Sequence, residues 1–424
     1  MYSSYPDEVW TVSTGIYLAR DVPLAMFSFP VTPERAVSLP LFIGIMYRLL
    51  GFPWFLYFLC SWNALTMAIL LLSAYFIGEF FFDKKTGILA ALLIGSNWFI
   101  GWYGNRLLED VGMVAFEFLS IAFYCKYLRQ HNWKYLFVSG FAAALAILTK
   151  ESALYLLLPL MTVFMLRKEN RKLRDVSMFI VSFIIGLSPF MYVSYIRYGN
   201  PLYPIFLRLT QFKGTSPGIL FNSSYIDMIP FALGLIVFLI LIWSLVLLIK
   251  KKLFLFPMWA VYCLAVYVFL IPYGPFDKYM THYIPIFLLM SAFGLKNVTE
   301  ACLKKYGWIG IIPVPLALLF TNLYGPPLFY SFSQGAFVMP MFLYQRLRWD
   351  KYGAISQLIQ QVESKQSDWW FAQLFYNSLG PDFMLIIFTA TVILILVIVY
   401  LVFTKTESSQ KLLVSSKKVQ RIKV

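Results

Sequence analysis

Charged residues are scarce in this 424-residue chain, at 13% of the composition, and they gather where apolar stretches begin or end. Asp7 and Glu8 stand near the start, Arg106, Glu109 and Asp110 precede one apolar run, and Lys150 and Glu151 follow another. A carboxylate pair accepts a proton from a hydroxyl nucleophile or holds a divalent cation, while Arg and Lys neutralise a phosphate leaving group. Any one of these sets alone reads as a solvated loop end, and Asp110 alone as a helix cap favoured by the helix dipole. A fourth set lies between Pro272 and Pro285, where Lys278, His282 and Tyr283 fall within about one helical turn of each other. Cation, imidazole and phenol together suit a phosphate; the plainer reading is a Lys and Tyr that anchor a helix end. Glu117 follows Asp110 by seven residues, about two helical turns, and so shares its face.

The elements that must position these groups are membrane helices. The chain is 60% hydrophobic with a mean hydropathy of +0.72, far from the roughly 25% charged content of a soluble domain. Apolar stretches run at about 54–82, 86–103, 111–128, 134–149, 153–166, 176–196, 229–249, 253–271, 281–295, 307–323 and 383–404. With spans of about 20 residues each, the fold class is an all-α polytopic membrane protein. It is expected to be a bundle of about eleven transmembrane helices with outer-face loops and interfacial helices. Basic clusters follow every second stretch, at Lys84, Lys126, Arg167 to Arg174, Lys250 to Lys252, Lys296 to Lys305 and the tail from Lys405. They place those ends in the cytoplasm. The cytoplasmic segments hold 22 of the 35 Lys and Arg, so the net charge of +15 is a topology signal and nucleic acid is not needed to explain it. All four charged sets then share the opposite, outer face, and Glu117 lies within the membrane, where a carboxylate is costly unless paired or facing water.

A single helix from Tyr135 to Leu166 would span about 48 Å, so two short helices meeting at Lys150 and Glu151 are expected. Residues 1–323 are expected to form the transmembrane module with an N-terminal outer loop. Residues 324–382 are expected to form an outer aromatic and amphipathic segment, 383–404 the last span and 405–424 a basic cytoplasmic tail. Ile355, Leu358, Ile359 and Val362 fall at helical spacing on an interfacial stretch near Trp369 and Trp370. The topology starts outside without a signal peptide, so either the terminus is translocated with the first hairpin or, as the favoured expectation, a leading helix lies upstream. Cys60, Cys125, Cys263 and Cys302 make no disulfide or zinc pattern, and His131 and His282 are unrelated in sequence. A metal, if used, is a hard divalent cation on carboxylates, with Glu8 and Asp110 the candidates.

Taken in order, these features resemble the GT-C class of lipid-phosphate-sugar-dependent glycosyltransferases, in the branch of protein O-mannosyltransferases and aminoarabinose transferases. The resemblance rests on Pro6-Asp7-Glu8-Val9-Trp10, the proline-led stretch Leu39 to Gly51, Asp110 opening a helix after Arg106, the turn Leu148-Thr149-Lys150 and His282-Tyr283-Ile284-Pro285. Trp369-Trp370 follows Asp368 and so does not reproduce a Trp-Trp-Asp signature. The resemblance implies inverting transfer from a polyprenyl-phosphate sugar to an acceptor hydroxyl or similar nucleophile, with Asp7 as general base. Asp110 is expected to be catalytic beside it. Glu8, Glu109 and Glu117 are expected to support the site or bind the acceptor. Arg106, Lys150, Lys278, His282 and Tyr283 are expected to bind the donor phosphate. The implied partners are the lipid-linked donor, a protein, lipid or glycan acceptor and membrane lipids, at a multi-pass site in the cell membrane whose active face is extracytoplasmic. The competing classes are a transporter or lipid flippase, which would place charges near the midplane and show repeats, and a non-catalytic assembly subunit. Sugar and acceptor are not readable from the sequence.

Overall fold

The computed structural model describes residues 38–50, 54–104, 109–154, 157, 173–203, 226, 229–270 and 277–323. These residues are helical almost throughout, with no strand among them. That follows from the solvent: a backbone in lipid must satisfy every N–H and C=O internally, and a helix does so within one segment. The proline-led stretch forms α1 (Ser38–Leu50), and the first long apolar run forms α2 (Trp54–Phe81). A tight turn at Asp83 leads into α3 (Lys84–Ser96), and a short α4 (Trp98–Gly104) follows. Next come α5 (Glu109–Gln130), α6 (Trp133–Thr149) and α7 (Leu173–Tyr198). The second half holds α8 (Ile229–Leu233), α9 (Leu235–Lys250), α10 (Leu255–Leu270), a 3-10 segment (Asp277–His282), α11 (Ile284–Tyr306), a second 3-10 turn (Gly307–Ile311) and α12 (Pro313–Leu323).

Three of these helices are each long and apolar enough to cross a membrane, at Trp62–Phe81, Glu109–Gln130 and Ile284–Ile311, and four shorter apolar helices lie beside them. The stretches at 153–166 and 383–404, and the outer segment at 324–382, fall wholly or mostly outside the described residues. Leu65, Leu72, Ile184, Leu239, Met258 and Val261 are exposed. In water such a belt would be a liability, whereas in a bilayer it is the lipid-facing surface. The interior is mainly apolar as well, but it also carries small and polar side chains. Ser120 Oγ donates to Ser139 O at 2.9 Å and Ser139 Oγ donates to Ser120 O at 2.7 Å, locking α5 to α6. Gly140 of α6 meets α7 so closely that an added Cβ would run into Ser182 Oγ and Phe179 O. Small residues at such seams let helix backbones approach.

Two expected spans are broken. Asn97 ends α3 and starts α4: its backbone is extended, and its Oδ1 accepts from Ile100 N–H at 3.0 Å, the bond of an N-cap. Gly234 separates α8 from α9 at φ 81°, a conformation open to glycine, and it lies so close to α12 that a Cβ would meet Phe320 O at 2.9 Å. The two breaks meet. Asn97 Nδ2 donates to Ala232 O at 2.9 Å and to Thr321 Oγ1 at 3.0 Å, and Thr321 Oγ1 donates to Leu233 O at 2.6 Å. The last carbonyls of α8, which the helix itself cannot satisfy, thus gain side-chain donors.

The helices form two linked rows. In one, α2 packs on α5, α5 on α6 and α6 on α7; in the other, α3 packs on α11, α11 on α9, and α12 leans on α9 and α3. The α2–α3 hairpin belongs to both. Its turn is pinned at the basic end: Asp83 accepts from Thr86 N–H at 2.8 Å, Lys296 lies 3.1 Å from Asp83 and 3.0 Å from Glu300, and Lys85 lies 3.2 Å from Glu300. Burial pushes the Asp83 carboxyl upward, but the Thr86 N–H and the Lys296 ammonium outweigh it and hold it below the usual carboxylate range. The basic clusters at Lys84 and at Lys296 therefore share one end of the bundle.

Candidate active site

The opposite end gathers the polar residues. The α5–α6 hairpin turns at His131 and Asn132, whose Oδ1 accepts from Lys134 N–H at 3.1 Å. From the paired Ser120 and Ser139, ten residues back along α5 and eleven forward along α6 lead to Asp110 and Lys150. Helix register thus sets these two side by side, and Lys150 Nζ bonds Asp110 Oδ1 directly. Asp110 lies in the first turn of α5 and Lys150 caps the C-terminus of α6, so each charge also has the sign its helix dipole favours. Lys150 is where the expected turn between two short helices falls: α6 ends at Thr149, and Glu151 and Ser152 form a turn.

The 3-10 segment before α11 packs against α4 and the start of α5 and delivers His282 to the same carboxylate. His282 Nε2 lies 3.3 Å from Asp110 Oδ1, and both residues are buried. Its other ring nitrogen, Nδ1, is hydrogen-bonded to the hydroxyl of Tyr267 in α10. Tyr279 stacks on Tyr267 with centroids 5.4 Å apart, and Lys150 Nζ lies 4.7 Å from the Tyr279 ring centre, a cation–π contact. Tyr283 is fully buried, its ring 6.2 Å from Tyr267 and 5.7 Å from Phe287. Burial is the main influence on the His282 imidazole and holds its pKa down to about 4; the Lys150 cation acts in the same direction, and Asp110 opposes them. The imidazole is therefore neutral at pH 7.

Of the residues singled out in the sequence, the fold thus brings together Asp110, Lys150, His282 and Tyr283. Glu109 lies beside Asp110 in the first turn of α5. Lys278 lies in the 3-10 segment. Glu117 is buried two turns along α5, and its Oε1 lacks a hydrogen-bond partner; it is apart from the cluster. Asp7, Glu8 and Arg106 lie outside the described residues. Among the described residues no three His, Cys, Asp or Glu side chains converge on a metal-sized site, and Asp110 is engaged by Lys150 and His282. Sequence reasoning missed Tyr267 and Tyr279. Tyr267 sits in an unbroken apolar run, where only its hydroxyl hinted at a buried partner.

Comparison with known proteins bears on this arrangement. Residues 34–196 match the family model described as dolichyl-phosphate-mannose-protein mannosyltransferase. No curated protein sequence matches the chain. Among solved structures, ArnT from Cupriavidus metallidurans bound to undecaprenyl phosphate is similar at a TM-score of 0.57 and 14% identity, over 76% of this chain and 60% of that one. The oligosaccharyltransferase of Archaeoglobus fulgidus in its apo form is similar at a TM-score of 0.51 and 13% identity, over 81% of this chain and 54% of that one. The chain thus spans about 60% of the length of ArnT and about half that of the archaeal enzyme. Residues 34–196 carry the pattern of the dolichyl-phosphate-mannose-protein mannosyltransferase family, within a helical membrane fold shared with the GT-C glycosyltransferases.

Proposed function

We propose that this protein is a membrane glycosyltransferase that moves a sugar from a polyprenyl-phosphate donor to a nucleophile on a protein, lipid or glycan, at the outer face of the membrane and with inversion. The observation that carries this reading is the Asp110–Lys150–His282 cluster at the end of the bundle opposite the basic turns. From Asp110 to Lys126 is sixteen residues of α5, about 24 Å at 1.5 Å per residue, against a hydrocarbon core of about 30 Å. The cluster therefore lies near headgroup depth, where the phosphate of a membrane-anchored donor sits. The positive-inside rule assigns its end to the outer face.

An ammonium has three N–H donors. Asp110 takes one from Lys150, and the remainder suit a phosphate oxygen. The similar structures support the donor class: one holds undecaprenyl phosphate, and the archaeal enzyme is also known with an inhibitory peptide and a dolichol-phosphate. The chemistry needs the glycosidic bond to phosphate to break as the acceptor oxygen attacks the anomeric carbon, with the acceptor proton passing to a base. Asp7 is assigned as that base from the resemblance of Pro6-Asp7-Glu8, with Glu8 and Asp110 as supporting carboxylates and Arg106, Lys278 and Tyr283 beside Lys150 around the phosphate. A divalent cation is not required by this scheme, and Glu8 and Asp110 are the residues that would hold one.

The test is transfer by purified protein given a panel of polyprenyl-phosphate sugars, mannose first, with Asp7→Asn beside wild type. A positioned base contributes about 10² to 10⁴ in rate, so turnover of one donor should fall by that factor in the variant while donor binding persists. Unchanged turnover in Asp7→Asn removes Asp7 from the mechanism. No turnover of any donor by folded protein overturns the transferase reading in favour of a transporter or an assembly subunit.

A further inference from the structure

We infer that Tyr267 is a positioning residue for this site: its hydroxyl donates to His282 Nδ1 and, together with Asp110, holds the imidazole with its Nε2–H turned toward that carboxylate. The inference rests on the transferase reading only for its effect on turnover.

The direction of each bond follows from the charges. Asp110 is ionised, since Lys150 Nζ is bonded to its Oδ1. His282 Nε2 lies 3.3 Å from that same oxygen. A ring-nitrogen lone pair turned toward an anionic oxygen at that distance would be repelled, so Nε2 must carry the hydrogen. A neutral imidazole has one N–H and one lone pair, which leaves Nδ1 as acceptor. The hydroxyl of Tyr267 bonded to Nδ1 is then the donor.

Burial closes the alternatives. Tyr267 is fully buried and His282 nearly so, so neither turns to water. Among the described residues, Asp110 from α5, Tyr267 from α10 and Tyr279 from the 3-10 segment stand against the imidazole, with Lys150 from the end of α6 behind Asp110 and Tyr283 beside Tyr267. Tyr279 stacks on Tyr267 and holds its ring plane. The Tyr267 hydroxyl on one side and the Asp110 carboxylate on the other thereby favour the same tautomer and hold the ring between them, the kind of outer partner that orients a histidine at many sites. The consequence for the site is that His282 turns an N–H and no charge toward Asp110, 3.3 Å away but not aligned as a hydrogen bond, and Lys150 is the cation bonded to that carboxylate.

The chain has two histidines, His131 and His282, which makes the tautomer directly observable. His131 lies in the α5–α6 turn at φ 52°, a conformation that Asn tolerates, so H131N leaves His282 as the sole imidazole. Nitrogen-15 spectra of histidine-labelled H131N protein at pH 7 should show a protonated Nε2 and an unprotonated Nδ1. Adding Tyr267→Phe should leave Nε2 protonated, since Asp110 still faces it, but move the Nδ1 resonance toward that of an unbonded ring nitrogen, and kcat should drop about tenfold, the loss of one neutral hydrogen bond, with KM little changed. A protonated Nδ1 in the parent, or an identical spectrum after Tyr267→Phe, overturns the inference. The spectra do not depend on turnover: a moved Nδ1 resonance in a protein inert toward every donor supports the role of Tyr267 while sinking the transferase reading. If Tyr267→Phe fails to fold, the H131N parent spectrum alone still decides, because a protonated Nδ1 there refutes the donor role of the hydroxyl.

Discussion

At the scale of single residues, the cluster is a pair of opposite charges held out of water together. Breaking a buried pair by removing one partner costs about 3–5 kcal/mol, because the remaining charge is left uncompensated. Asp110→Asn removes the carboxylate bonded to the Lys150 ammonium, and Lys150→Met removes the ammonium bonded to Asp110. Each single variant should therefore unfold at a clearly lower temperature in detergent. The double variant should lose less than the two together, with a coupling of about 0.5–3 kcal/mol; strictly additive losses would show that the two groups do not act as a pair. The members of the cluster were visible in the sequence because a charge at the end of an apolar run is conspicuous. Tyr267 was not, since a tyrosine in the apolar run Leu264 to Leu270 looks like any other aromatic until its partner, fifteen residues on, is known. Glu109 and Glu117 show the limit of counting residues along a helix: spacing placed Glu117 on the face of Asp110, yet two turns of depth separate it from the cluster.

At the scale of elements, the site depends on helix pairs that approach closely enough to fix register. The reciprocal Ser120–Ser139 bonds hold α5 to α6, and the Gly140 contact holds α6 to α7. Gly140→Val would drive a side chain into Ser182 Oγ and Phe179 O, with nothing soft on the backbone side to yield. Overpacking of this kind costs about 1–3 kcal/mol, and the displaced end of α6 carries Lys150. The expected outcome is a lower apparent melting temperature together with reduced transfer; unchanged stability would show that the seam opens freely. Helices α2, α5, α6, α7 and α10 follow from unbroken apolar runs. The breaks at Asn97 and Gly234 do not, because one Asn or Gly in such a run is ordinarily tolerated. What makes them breaks is a partner far away in the chain: Ala232 and Thr321 for Asn97, Phe320 for Gly234. Local pattern holds no record of such contacts.

At the scale of the whole molecule, charge asymmetry and architecture agree. The basic turn at Asp83 to Lys85 and the middle of α11 close one end, and the Asp110 cluster closes the other. In a background with the four native cysteines replaced, Asn200→Cys, after α7, should react with a membrane-impermeant maleimide on intact cells. Lys84→Cys should react only after permeabilisation, and the reverse pattern would invert the bundle. The node joining Asn97, Ala232, Leu233 and Thr321 also bears on how the protein is made. Asn97 enters the bilayer 135 residues before Ala232 and 224 before Thr321 leave the ribosome. Through that interval its amide nitrogen has neither of the acceptors it holds in the finished bundle, so the first hairpins must wait, held beside the insertion machinery or water, until the last helices arrive to close them.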